Sequence, residues 1–366
     1  MMTDWETLLS LPPYGMGREE KHPFLTRELA ALCRHHQAGC PSYARMLSAW
    51  SETEALAGSS SRAHGYEGLP FLPVRLFKEF DLFSVPEESL HKTLTSSGTT
   101  GQQVSRIHLD RETSAAQSKV LTIIVRDFLG NSRLPMIILD TSALLQNRAM
   151  FSARGAGVLG FSLFARDKIY AFDEHMNLDV AGLRAFLEKH RGEPIFLFGF
   201  TYMVWRHFYG DLRTLAEPID LSQGILIHGG GWKKLAAEAV SPSQFQNGLK
   251  EVCGIRRVHD YYGMVEQTGA IFMECEKGHL HAPVWADILV RSPRDFSLAP
   301  VGEKGLIEAV SLLPRSYPGH LLLTEDEGII LGEDDCPCGR KGKYFRVLGR
   351  IQRAEARGCS DTYEPA

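Results

Sequence analysis

The chain has 366 residues, enough for about two domains and one large core, and a formal charge of -4 that argues against a general nucleic-acid or polyanion binder. No uninterrupted apolar run approaches the roughly 20 residues a membrane span needs. The acidic start, Met1 to Glu6, lacks the layout of a signal peptide, so the sequence predicts a soluble, cytoplasmic protein. Seven cysteines, an odd number scattered along the chain, make a disulfide framework a poor expectation and leave reduced thiols, metal ligands or one reactive thiol.

In chain order, the first ~50 residues read as helical. Leu25, Leu29 and Leu32 share one helical face, and Pro41 opens a second pattern through Tyr43, Met46, Leu47 and Trp50. His35 and His36, in the last turn of the first helix, are either ligands or simple complements to the helix dipole. Residues 51–68, centred on Gly58 to Ser61, read as a surface loop.

Thr95, Ser96, Ser97, Gly98, Thr99, Thr100 and Gly101 form a run with no large side chain. Hydroxyls donate to phosphate oxygens, and glycines let backbone N–H groups turn toward an anion, so such a loop can fold over a polyphosphate. It is not a Walker loop, because Gln102 stands where that motif has lysine. Taken alone, it reads first as a solvated linker.

From Leu69 to Val290 short apolar runs (136–140, 195–198, 225–227) alternate with amphipathic stretches (113–128, 179–190). That pattern predicts parallel strands joined by crossovers, an α/β sheet covered on both faces. Gly155, Gly157 and Gly160 match the dinucleotide pattern by chance, since no strand directly precedes them. Ile225 to Lys234 reads strand, three glycines, helix: Gly229, Gly230 and Gly231 offer bare backbone to a flat ring at the carboxyl end of a sheet. His228 and Trp232 beside them are either packing residues or contacts.

Cys275 and His281, with the Cys336-Pro337-Cys338 pair, supply three thiols and an imidazole, a donor set suited to a closed structural zinc site. His279 competes as the fourth ligand. The alternative is unliganded cysteines in a reduced cytosol.

Four segments resemble the adenylate-forming enzymes, the superfamily of acyl-CoA ligases and luciferases. The loop at 95–101 is similar to their phosphate loop, and Asp260 to Thr268 resembles their Tyr-Gly-x-Thr-Glu motif, with Val265 in the threonine position. Leu321 to Gly328 resembles their Thr-Gly-Asp turn, with Glu325 in place of glycine, and Val347 to Ile351 resembles their Gly-Arg hinge. The wording after the loop, Gln102 to Asp110, and the His228 to Lys233 segment look like one branch, the acyl-protein synthetases of bacterial bioluminescence.

The resemblance implies a layered α/β N-terminal domain over residues 1–348, with a vestigial C-terminal tail at 349–366 where relatives carry a mobile domain. It implies ATP and magnesium: Tyr262 and Gly263 at the adenine, Gly229, Gly230 and Gly231 beside it, Asp326 on the ribose hydroxyls, Arg350 supporting ribose or phosphate, and Glu266 holding Mg. A carboxylate can accept from both hydroxyls of a vicinal diol, and one glutamate suffices for a magnesium that also binds phosphates. Cys359 stands where the branch has an acylated cysteine, with Arg353 and Arg357 nearby to lower its pKa. The zinc set is similar to one in phenylacetate-CoA-ligase-like relatives.

The expected activity is ATP-dependent activation of a carboxylic, in particular fatty, acid to its acyl-adenylate, then transfer to a cysteine thiol. The expected partners are that acid and an acyl-accepting reductase or carrier protein, with Lys233, Arg106 or a partner subunit supplying the charge of the missing lysine. The alternatives are a phenylacetate-type acyl-CoA ligase and a non-catalytic nucleotide- or acyl-binding subunit.

Overall fold

A computed structural model describes residues 2–56, 65–96, 103–146, 153–232 and 238–351. Its centre is built from apolar runs. Leu134–Thr141 (β4), Ile195–Phe200 (β6) and Gly224–Gly229 (β7) are buried at every position, as strands covered on both faces must be. With Ala165–Phe172 (β5) and Arg257–Tyr262 (β8) they form a parallel sheet in the order β5-β4-β6-β7-β8.

Alternation along these strands serves two layers of helices. Met136, Ile138, Phe196, Phe198, Ile225 and Ile227 pack with Arg111–Leu129 (α5) and Ala153–Phe161 (α7). Ile137, Leu139, Leu197 and Leu226 pack with Val180–Lys189 (α8) and Pro242–Cys253 (α11). Each such fully buried aromatic or branched side chain contributes about 1.5–3 kcal/mol. The glycines at 155, 157 and 160 lie inside α7, where Gly157 lets the rings of Phe198 and Phe200 close in: a Cβ there would lie 3.2 Å from Phe200.

The expected parallel alternation stops at β8. Phe272–Glu274 (β9) turns back antiparallel onto β8, and Leu280–His281 (β10), Lys343–Arg350 (β14), Leu321–Glu333 (β13), Lys304–Ser311 (β12) and Ala286–Arg291 (β11) extend the sheet in that order. Leu72–Pro73 (β1) joins β13 in parallel. Short links make β8 and β9, β9 and β10, β12 and β13, and β13 and β14 antiparallel neighbours, while β10 meets β14 from far along the chain. Leu90–Thr95 (β2) and Arg106–Asp110 (β3) form a separate antiparallel hairpin.

The helical start comprises Trp5–Leu9 (α1), Arg18–Gly39 (α2) and Pro41–Leu56 (α3), with short helices at Leu76–Glu79 (α4) and Ala143–Gln146 (α6). Two buried polar groups tie it to the antiparallel half. The Asp287 carboxylate accepts from Tyr66 and from Lys343 Nζ (2.8 Å), with Lys21 Nζ 3.7 Å away. Burial works against its charge, but the Lys343 and Lys21 ammonium groups hold its pKa below the usual value. The expected surface loop at 51–68 is thus corrected at both ends: α3 runs to Leu56, and Tyr66 is 2% exposed because its hydroxyl serves Asp287; residues 57–64 lie outside the described set.

His36 and His320 form the second tie, their rings 4.8 Å apart. His36 contacts Ser84 Oγ (2.8 Å) and the Pro314 carbonyl (3.1 Å), while His320 Nε2 lies 3.1 Å from Cys33 Sγ. Burial, then His35, pulls His320 down to about 3. An imidazole whose folded pKa lies below its unfolded value of about 6.5 stabilises the fold above that pH, and loses this as pH falls, by about 1.4 kcal/mol per unit. Urea unfolding free energy is therefore expected to drop between pH 6.5 and 4.5, with His320→Gln removing one proton's share of that slope. An unchanged slope in the variant would refute this.

Candidate functional site

The hydroxyl-rich loop rises from the β2–β3 hairpin. Thr95 faces Arg106 across it. Ser96 N–H donates to the Ser105 carbonyl (3.1 Å) and Ser105 N–H donates to Ser96 Oγ (2.9 Å), which closes the base. Ser97, Gly98, Thr99, Thr100 and Gly101 lie outside the described residues. Leu94, Ile107 and Leu109 of the hairpin share an apolar cluster with Tyr317 and Met264, two residues before Glu266. The base of the loop and the acid are therefore neighbours.

Glu266 sits in a 3-10 turn, Val265–Gln267, and is 1% exposed. Three elements pin that turn. Tyr317 Oη donates to the Glu266 carbonyl (2.9 Å) and accepts from Gln117 of α5 (3.3 Å), while Gln267 donates to the carbonyls of Ala309 and Gly319 (both 2.9 Å). These bonds fix the backbone of the turn that carries Glu266, and one carboxylate is enough for a magnesium ion that also binds phosphates. Arg106 is not a spare cation: its guanidinium donates twice to Asp81 (2.6 and 3.2 Å), whose pKa is lowered first by Arg106 and then by His108. Lys233 lies outside the described residues.

Tyr262, Asp326 and Arg350 meet, although they are far apart in sequence. Tyr262 is the last residue of β8, and its hydroxyl donates to Asp326 Oδ2 (2.7 Å). Asp326 and Arg350 are opposite one another on β13 and β14, with Arg350 Nε 3.5 Å from Asp326 Oδ1. Burial, then the Asp326 charge, holds the phenol well above its ordinary pKa, so it remains a donor. The expected turn at Thr324 to Asp326 is an irregular stretch within one long strand: β13 runs from Leu321 to Glu333, and also shifts register against β14 between Glu327 and Gly328. The β12–β13 register slips here, Leu306 facing Glu327 but Glu308 facing Leu323, so residues 324–326 bulge out of that ladder, and Asp326 N–H donates to Thr324 Oγ1 (3.1 Å). Gly263 follows Tyr262 closely packed, since a Cβ there would lie 3.0 Å from Ile271.

One strand away lies the glycine turn. A Cβ on Gly229 would fall 2.5 Å from the Tyr261 ring, and Gly230 and Gly231 have φ of 82° and 61°, a region that favours glycine. Sequence reasoning missed the residue that holds this turn. Thr201 opens the short helix Thr201–Met203 (α9) directly after β6, and its hydroxyl donates to the Gly229 carbonyl (3.1 Å). That uses its only proton, so the His228 Nδ1 3.0 Å away is the donor to Thr201. Burial, then His259, takes His228 down to about 3, which keeps the ring neutral.

Beyond α9 the helix widens into a π-helical stretch, Val204–Tyr209, before Gly210–Leu212 (α10). Such insertions recur at functional sites. Here it stacks Trp205 on Tyr209 (4.1 Å) and on Phe245 (5.5 Å), with Trp232 edge-on, a wall of rings beside the glycines. A hydroxyl after an apolar strand and a one-residue helical insertion leave no periodic signal to find.

The four expected metal donors converge. Donor atoms of Cys275, His281, Cys336 and Cys338 all lie within 4.8 Å of one another. Cys275 and Cys336 sulfurs are 4.0 Å apart and Cys338 Sγ is 3.3 Å from His281 Nε2, close to the ~3.8 Å edge of a tetrahedron with 2.3 Å zinc–sulfur bonds. Lys277 and Arg340 N–H groups donate to the Cys275 and Cys338 sulfurs (both 3.4 Å). Burial pushes the Cys275 thiol up to about 12 and, with Arg340, draws His281 down to about 4. The residues fit a closed zinc site with His281 as fourth ligand; His279 Nδ1, 3.3 Å from Cys336 Sγ, stands beside the set and stacks on Tyr344. Cys359 lies outside the described residues, and β14 runs to Arg350, just past the expected domain end at 348.

The family model "Acyl-protein synthetase, LuxE" matches residues 3–366. The long-chain-fatty-acid–luciferin-component ligase of Vibrio harveyi is 22% identical over 300 residues, covering 80% of this chain and 76% of that one. Its counterpart from Aliivibrio fischeri is 22% identical over 312 residues, covering 82% and 79%. Among solved structures, 2-hydroxyisobutyryl-CoA ligase in an open conformation with 2-HIB-AMP and CoA superposes with a TM-score of 0.67 at 17% identity, over 96% of this chain and 76% of that one. The same ligase in the postadenylation state gives 0.66 at 18% identity, over 96% and 74%. At these identities the likeness is one of fold: a large sheet with flanking helices.

Purified protein is expected to carry about one zinc per chain, and the double change Cys336→Ser, Cys338→Ser to remove it and lower the unfolding midpoint by roughly 5–10 °C; metal analysis with thermal unfolding decides. Thr201→Val, which keeps shape but not the hydroxyl, is expected to weaken ATP binding about tenfold by calorimetry. Thr201→Ser should restore it, and equal affinities in the two variants would remove Thr201 from the site.

Proposed function

The chain belongs to the acyl-protein synthetase family of adenylate-forming acid–thiol ligases, and from that premise we propose that it activates a carboxylic acid, in particular a fatty acid, with ATP and passes the acyl group to a cysteine thiol. The observation that carries this reading is the meeting of Tyr262, Asp326 and Arg350 beside the Gly229 to Gly231 turn. Ligands of open α/β sheets bind outside the carboxyl ends of the parallel strands, and Tyr262 and Gly229 end β8 and β7.

In the reaction, the acid's carboxylate attacks the α-phosphorus of ATP and the bond to pyrophosphate breaks. Asp326 accepts from the ribose hydroxyls, Tyr262 and the glycine turn flank the adenine, and Arg350 supports the ribose or phosphate. Thr95, Ser96 and the loop through Gly101 surround the departing pyrophosphate, a contribution of positioning and electrostatics. Glu266 would hold the magnesium ion that offsets the phosphate charge. The Cys359 thiolate then attacks the acyl-adenylate carbonyl, forming a thioester as AMP leaves. A reductase or carrier protein takes the acyl group onward. Cys275, His281, Cys336 and Cys338 would hold a zinc ion that pins β9 and β10 to the segment before β14 and takes no part in the chemistry.

ATP–pyrophosphate exchange across a panel of fatty and aromatic acids tests the first half, and intact mass after incubation with MgATP and the best acid tests the second. Glu266→Gln is expected to slow exchange about a hundredfold. Cys359→Ser should leave exchange intact and abolish the acyl adduct. Exchange at background for every acid would end this reading, and acyl-CoA formed by Cys359→Ser would transfer it to a coenzyme A ligase.

A further inference from the structure

The second strand of the loop-bearing hairpin alternates without a break. From Val104 to Asp110 every second residue is buried, and Ser105, Ile107 and Leu109 are at most 1% exposed, as the covered face of a strand requires. Arg106 and His108 take the other face, where both engage Asp81. Ile107 and Leu109 pack with Met264 and Tyr317, and the Tyr317 hydroxyl donates to the Glu266 carbonyl. Ser105 therefore lies on the face that looks toward the Glu266 turn, one strand period nearer the loop, while Arg106 faces away.

The Ser105 hydroxyl is out of keeping with that position. Its N–H donates to Ser96 Oγ (2.9 Å) and its carbonyl accepts from Ser96 N–H (3.1 Å), so both backbone groups are satisfied. The side-chain Oγ, in a residue that is 0% exposed, has no hydrogen-bond partner among the described residues. A hydroxyl taken out of water without a replacement bond costs free energy that an alanine in the same place would avoid, and such an orphan calls for a partner of its own. Ser96 Oγ, having accepted, keeps its own proton to give. The base of the loop thus presents two hydroxyl protons at neighbouring residues of the ladder, an arrangement that suits an anionic oxygen.

We propose that Ser105 donates its hydroxyl proton to a phosphate oxygen in the pyrophosphate portion of ATP; the assignment rests on the proposed function, which gives the loop to that portion. Ser105 is then a positioning residue for the departing group, on the opposite face of the strand from the arginine that the sequence offers for the same task. As the bond from the α-phosphorus breaks, charge builds on the pyrophosphate and the hydrogen bond strengthens.

The test uses the full-length protein, with MgATP and, separately, AMP as probes in calorimetry and thermal unfolding. Ser105→Ala is expected to raise the Kd of MgATP at least tenfold, the loss of one hydrogen bond to a charged group, and to leave that of AMP unchanged. Without nucleotide its midpoint should equal or exceed the parent's, because the dry hydroxyl is gone, while the midpoint gain that MgATP confers should shrink. Ser105→Cys, close in size and a weaker donor, should bind MgATP with an affinity between those of the alanine variant and the parent. MgATP bound equally tightly by parent and Ser105→Ala overturns the assignment and leaves the hydroxyl to a buried water. Equal losses for MgATP and AMP also overturn it, in favour of a contact at the α-phosphate where the free midpoint holds and of a bracing role in the hairpin where it falls. A parent that binds neither nucleotide ends the proposed function and this assignment with it, whereas a parent that binds MgATP while Ser105→Ala matches it ends the assignment alone.

Discussion

Tyr262 stands at the point where the sheet reverses its sense, since β8 runs parallel to β7 on one side and antiparallel to β9 on the other. Its hydroxyl crosses from the parallel half to Asp326 in the antiparallel half, and Arg350 closes on the same carboxylate from the next strand. Because enclosure and that carboxylate both disfavour the phenolate, the bond keeps one direction, tyrosine to aspartate. The geometry around Asp326 is therefore set by three strands at once, and each belongs to a ladder that resists displacement. The glycine turn on β7 inherits its distance from this point through the β7–β8 register, in which Gly229 faces Tyr261.

The parallel half was legible because its strands carry unbroken apolar runs, such as Ile195 to Phe198, that only a doubly covered sheet can use. The antiparallel half was not. β11 and much of β12 are buried on both sides like parallel strands, and nothing in their composition distinguishes the two pairings. The residues that meet as Tyr262, Asp326 and Arg350, and the four donors that converge, could each be singled out from sequence because motif resemblance and donor chemistry act within short segments. Thr201 was missed, since its importance arises only when β6 and β7 lie side by side and bring its hydroxyl to the Gly229 carbonyl. Tyr66 was missed for a similar reason: its glycine- and serine-rich surroundings look like a solvated loop, and the carboxylate that draws it inward lies 221 positions later.

Buried charge organises the periphery. Lys21, Asp287 and Lys343 are paired in the interior, and Arg154 and Asp140 are matched at the end of β4. Such pairs add little net stability over apolar packing, but losing one partner strands a charge out of water. Their effect is to admit one register of α2 against β11 and β14, and one of α7 against β4. The Arg340 guanidinium does the same for the cysteine-bearing segment, spanning Glu276 and Asp127 so that it is anchored to α5 as well as to its neighbouring strands.

The sheet ends in two strands whose outer backbones could recruit strands from other molecules, and the chain shields them differently. β5 carries Arg166, Asp167 and Lys168 on its margin, Arg166 tied to Glu193 and Asp167 to Lys189 and His190, a charged fringe that deters further pairing. Around β11, where every position is buried, the amino-terminal segment forms part of the cover: the Trp285 indole donates to the Leu8 carbonyl and the Val284 N–H to that of Pro13. The opening residues thus help shield that edge from strand addition, so a fusion or trimming at that end acts on colloidal behaviour before it reaches Tyr262, Asp326 and Arg350.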